Sequence, residues 1–132
     1  MVKNSILTVN TNSGAVVLNT PIPLGNVQAR TGCARLNGSS LMLPRGKYLL
    51  DVSATFTAAA TGDVAFQVYQ NGAPIPGATA SVTVSVAGTQ VKFISIPTLV
   101  ETYCRCNSNI TVQASGNIPT LSNFTVRAVE YQ

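Results

Sequence analysis

The stretch Pro44-Arg45-Gly46-Lys47-Tyr48-Leu49-Leu50-Asp51-Val52-Ser53-Ala54-Thr55-Phe56-Thr57 places an apolar side chain at every second position. Tyr48, Leu50, Val52, Ala54 and Phe56 fall on one side, and Leu49, Asp51, Ser53, Thr55 and Thr57 on the other. Successive side chains of a strand point to opposite faces, so this pattern is a long half-buried strand with one face in a core. Pro44-Arg45-Gly46 ahead of it is a turn. The unbroken alternation, with no stripe of period 3.6 set apart from it, argues against a helix here.

The same period continues down the chain. Val64, Phe66 and Val68 alternate with Ala65, Gln67 and Tyr69, and Asn71-Gly72 then signals a tight turn. Val82, Val84 and Val86 alternate with Thr83 and Ser85 up to Ala87-Gly88. A further strand is expected over 91–96, stopped by Pro97. Ile110, Val112 and Ala114 alternate before Ser115-Gly116-Asn117. The last strand sets Phe124, Val126 and Ala128 against Thr125, Arg127, Val129 and Tyr131. Shorter candidates lie at 6–9, 15–18, 27–30 and 41–43, and no ten-residue segment reads as helix. The expectation is one all-β domain over 1–132, a sandwich or barrel, with 1–20 a peripheral arm or edge strands. Its core is expected to hold Tyr48, Leu50, Val52 and Phe56, packed with Val64, Phe66, Val68, Phe124 and Val126.

Composition narrows the chemistry. Charged residues are 9% of 132, far below the roughly 25% of an average soluble chain. Histidine is absent, which removes the commonest general base and every Ser-His or Cys-His nucleophile. The four acids, Asp51, Asp63, Glu101 and Glu130, are isolated, so paired carboxylates are not expected. Gly32, Gly38 and Gly46 lack the Lys-Ser/Thr that completes a phosphate loop. The chain therefore reads as no enzyme and as holding no cofactor.

Cys33, Cys104 and Cys106 are three thiols without an imidazole, one ligand short of a structural zinc site. They are expected to be reduced, with pairing of Cys33 to Cys104 or Cys106 the alternative. The net charge is +4, but the eight Lys/Arg are scattered, so no nucleic-acid stripe is expected. Arg30 with Arg35, and Arg45 with Lys47, are small pairs that folding would have to gather to attract an anion. No run approaches the ~18 apolar residues of a membrane helix, so no membrane partner is expected. The start lacks the apolar run of a signal peptide, so a chain made in the cytoplasm and not exported by the general route is expected. Tyr69 and Tyr103 are the candidate ligand contacts, as rings able to stack on a sugar or a partner protein.

One feature is more specific than generic β. Gly46-Lys47-Tyr48 opens a long strand, 62–70 forms a second, and Asn71-Gly72 leads into a short insert ending at Pro76-Gly77. This arrangement resembles the tumour-necrosis-factor-like and complement-globular-head-like superfamily, over about residues 20–132, and within it the bacterial and phage branch. The resemblance implies a two-sheet jelly roll of about ten antiparallel strands. It also implies a homotrimer. Neither a collagen-like Gly-x-y segment nor a membrane anchor accompanies the pattern, which points to a phage virion component: a capsid decoration or fibre-head protein incorporated into the particle. Its partners would be copies of itself, a capsid or other virion protein, and host-surface glycan. The alternative function is a carbohydrate- or receptor-binding module. In the implied topology the Tyr48 strand and the last strand are neighbours. Leu49, Asp51, Ser53, Thr55, Arg127, Val129 and Tyr131 would then line the trimer interface, with Asp51 and Arg127 as an ion pair.

Overall fold

A computed structural model describes residues 4–11, 14–102 and 108–131. The described residues form eleven strands and no helix. They are β1 (Ser5–Asn10), β2 (Gly14–Ala15), β3 (Asn26–Thr31), β4 (Arg35–Asn37), β5 (Ser40–Leu43) and β6 (Gly46–Ala58). Then come β7 (Gly62–Gln70), β8 (Ala73–Val84), β9 (Lys92–Thr102), β10 (Ser108–Gly116) and β11 (Pro119–Tyr131). One sheet runs β3-β1-β11-β6-β9, with two-residue β2 continuing the β1 side of β11. The other runs β4-β5-β10-β7-β8. Every pairing is antiparallel.

β6 is the central strand of the first sheet, and its sequence explains why. Its thirteen residues alternate without a break, and both of its edges are paired, to β11 and to β9. The inward set meets the inward set of β7 across the sandwich. Tyr48, Leu50, Val52 and Phe56 are at most 1% exposed, as are Val64, Phe66, Val68, Phe124 and Val126. The rings of Phe56 and Phe66 lie 5.2 Å apart and tilted by 59°, a geometry that aromatic quadrupoles favour. Ile94, Ile96, Ile110, Val112 and Leu41 complete the core. Buried Thr8 meets its hydrogen-bonding need by donating to the Val126 carbonyl.

Asn71 and Gly72, both at positive φ, form the two-residue hairpin turn between β7 and β8. Gly116 ends β10 at φ +86°, where a Cβ would run into the Asp63 carbonyl.

Several expected boundaries move. β1 is not a peripheral arm: it lies inside the sheet, between β3 and β11, and buries Ile6 and Thr8. Of the candidate at 15–18 only Ala15 is strand. Beyond it the chain crosses between the sheets, burying Val16, Ile22 and Leu24 and bridging β10 at Pro21. The insert with Pro74 and Pro76 is itself the first part of β8, and β9 runs on past Pro97. Both are edge strands. An edge strand leaves one row of N–H groups without a ladder partner, so a proline there loses no bond.

Candidate functional site

The two sheets share one core but show different outer faces. On the second sheet the outward side chains of β7, β8 and β10 include Gln67, Thr79, Ser81, Thr111 and Gln113, with Asp63 at one end, a mainly polar face suited to water. The first sheet presents apolar groups. Register sets its rows: Val129 lies opposite Leu49, and Leu49 opposite Leu99. These three are 39%, 51% and 58% exposed, far more than an aliphatic side chain in a core. The next row is Arg127, Asp51 and Pro97. Beyond it come Thr125, Ser53 and Ser95, then Asn123, Thr55 and Phe93, with Phe93 63% exposed. On the other side of the leucine row lie Tyr131, Lys47 and Glu101.

Leu49, Asp51, Pro97, Leu99, Arg127 and Val129 together line an open, mainly apolar hollow in this face. One ion pair crosses it: Arg127 Nη2 stands 3.2 Å from Asp51 Oδ2, and Ser95 Oγ donates to Asp51 Oδ1. Both charges are partly solvated in a single protomer, so the pair contributes at most about 1 kcal/mol to its fold. Covered by another surface, the same pair would keep either charge from being stranded in an apolar contact.

All seven residues expected at an interface therefore share one surface: Leu49, Asp51, Ser53 and Thr55 from β6, and Arg127, Val129 and Tyr131 from β11. The sequence reading missed the third strand of this face. Phe93, Pro97 and Leu99 on β9 add the most exposed apolar area, yet Phe93-Ile94 is apolar on both faces and hides the alternation. Tyr69 lies elsewhere, half-buried on the second sheet opposite Thr111. Tyr103, Cys104 and Cys106 fall outside the described residues, and Cys33 is exposed.

Acid–base chemistry finds little to build on. Asp51 is paired with Arg127, and Asp63 accepts from Thr83 Oγ1 at 2.7 Å. Glu130 accepts from both the backbone and the side-chain nitrogen of Asn4, tying the start of β1 to the end of β11. Among the described residues no three His, Cys, Asp or Glu side chains gather where a metal ion would need them. Burial pushes the Tyr48 phenol up to about 12, where it donates to the Pro44 carbonyl at 2.8 Å. A phenol held neutral this firmly pins a turn and moves no proton near neutral pH.

No protein-family model matches this sequence, and no curated protein matches it either. Solved structures do match in fold. The Eiger TNF from S. frugiperda superimposes with a TM-score of 0.75 at 12% identity, covering 100% of this chain and 94% of that one. Murine APRIL at pH 5.0 gives 0.74 at 16% identity, covering 98% and 99%. The globular domain of zebrafish complement 1qA gives 0.66 at 8% identity, covering 96% and 94%. These neighbours are TNF-family and complement globular-head proteins and include no bacterial or phage chain, so the finer branch expected from sequence has no support among them. The chain has the jelly-roll fold of the tumour-necrosis-factor and C1q globular-head proteins.

Proposed function

We propose that the chain is a non-enzymatic structural module that assembles into a homotrimer through the outer face of the first sheet. The contrast between the two outer faces carries this reading. One is mainly polar, with Gln, Thr and Ser its commonest groups, and the other holds Leu49, Leu99, Val129 and Pro97 around a single ion pair. Contiguous exposed apolar surface of this kind marks association sites. Val86 and Val91, in the connection between β8 and β9, are further exposed apolar side chains near the Phe93 end of β9. TNF- and C1q-like folds commonly form homotrimers, which favours three copies.

Hydroxyl-radical footprinting tests which face is covered. Leu49, Leu99 and Phe93 should be oxidised several-fold less in the assembled protein than in a dissociated variant, while Met42 and Tyr69 on the second sheet stay reactive. Equal labelling of Leu49 and Leu99 in both states would overturn the assignment.

The finer form of the proposal is a virion component, a phage capsid decoration or fibre-head protein made in the cytoplasm. It draws on the sequence resemblance and on the suitability of a small, weakly charged knob for that task. Immunogold labelling of particles released by producing cells tests it: gold on the particles supports it, and unlabelled particles refute it. The rival reading, a carbohydrate- or receptor-binding module, draws on one observation, a polar hollow over the second sheet.

A further inference from the structure

Along one side of β10 two different pieces of chain meet. β5 pairs with residues 108–110, and the crossing segment takes over at Val112 and Gln113, where Ile22 N donates to the Val112 carbonyl and Pro21 bridges Gln113. Where the two part, the outer face opens into a hollow of about 450 Å³. Ser39, Ser40, Asn71, Asn109, Thr111 and Gln113 line it.

We propose that this hollow binds a neutral carbohydrate. Every polar side chain in the lining is an amide or a hydroxyl, and none is charged. Such groups offer donors and acceptors together, which is what a ring of sugar hydroxyls presents in return. An ionic ligand would find no opposite charge in the lining. The rim is held before anything binds. Asn71 N donates to the Asn109 carbonyl at 2.8 Å, and Asn109 N donates back to Asn71 Oδ1 at 2.9 Å. Little ordering is then left for the ligand to impose. Asn109, Thr111 and Gln113 have no side-chain partner among the described residues, so their amides and hydroxyl are free to serve a ligand. Tyr69 stands across from Thr111 in the β7–β10 ladder, next to the lining and not part of it. The volume falls within the roughly 300–1,000 Å³ of ordinary ligand sites and suits one or two sugar rings. The hollow belongs to one protomer and lies on the sheet opposite the association face. Its occupancy does not depend on assembly, and assembly would repeat it for multivalent attachment.

The test uses the full chain labelled with nitrogen-15, titrated separately with glucose, galactose, mannose, fucose and N-acetylglucosamine, with sialic acid as the charged comparison. At least one neutral sugar should move amide signals of residues 39–40, 69–72 and 109–113. Asn109→Ala and Gln113→Ala should each weaken that response by roughly tenfold, with the rest of the spectrum unchanged as proof of fold. The proposal is overturned if none of the five sugars shifts these signals, if both variants respond as the parent does, or if sialic acid alone binds.

Discussion

Leu49→Asp separates association from folding. In a protomer Leu49 is 51% exposed, so covering it removes about half of a leucine from water, roughly 1 kcal/mol per copy. The new carboxylate would sit on the same strand face as Asp51, two residues away, with Arg127 already engaged. Burying a charge without its own partner costs several kcal/mol. In the proposed trimer three copies bring the total to roughly 10 kcal/mol, comparable to the whole free energy of a micromolar-to-nanomolar contact. The protomer itself should barely notice, because substitutions at exposed positions usually stay within about 0.5 kcal/mol. Sedimentation velocity reads the first effect, and urea unfolding of the dissociated variant, set beside a second dissociated variant such as Leu99→Asp, reads the second. The expected outcome is a folded monomer. A Leu49→Asp chain that sediments as the parent does would refute the reasoning, since no buried contact would then involve this face.

Phe56→Ala removes a fully buried ring packed at a tilt against Phe66 and should cost roughly 3–5 kcal/mol in a denaturant titration; a loss below about 1 kcal/mol would mean that the ring packs against little. Tyr48 makes stability fall at high pH: its folded-state value is raised, so its contribution is complete below pH 10 and is lost as pH rises toward about 12. Tyr48→Phe should remove that alkaline slope in urea midpoints measured across the same window. Arg127→Ala should change protomer stability by less than about 1 kcal/mol yet weaken assembly, because it leaves Asp51 alone on the covered face. The double variant Asp51→Asn with Arg127→Gln should recover part of the lost assembly by sedimentation.

The parts of the fold legible in sequence are those where one face is apolar and the other polar. In β6, β7, β10 and the part of β11 from Phe124 on the period of two is clean, and Asn71-Gly72 marks its hairpin. Short pieces give no period to read: β4 has three residues and β2 two, and β2 pairs with β11, which lies at the other end of the chain. Pro74, Pro76 and Pro97 read as stops, because a proline usually ends a strand, and only the sheet order shows that β8 and β9 are edges. The face proposed for association was partly legible as a set of residues sharing one surface. Leu49 and Val129 stand out as apolar residues on the wrong side of alternating strands, whereas the share of β9 needed its pairing with β6. The polar hollow could not be read at all, since Ser39, Asn71 and Gln113 come together only through the crossing segment and the turn.

Self-association through the first sheet is tested most directly by the mass of the native particle. Light scattering coupled to size exclusion at micromolar concentration should return three times the 13.7 kDa chain, about 41 kDa. A mass of one chain, unchanged as concentration rises, would contradict it.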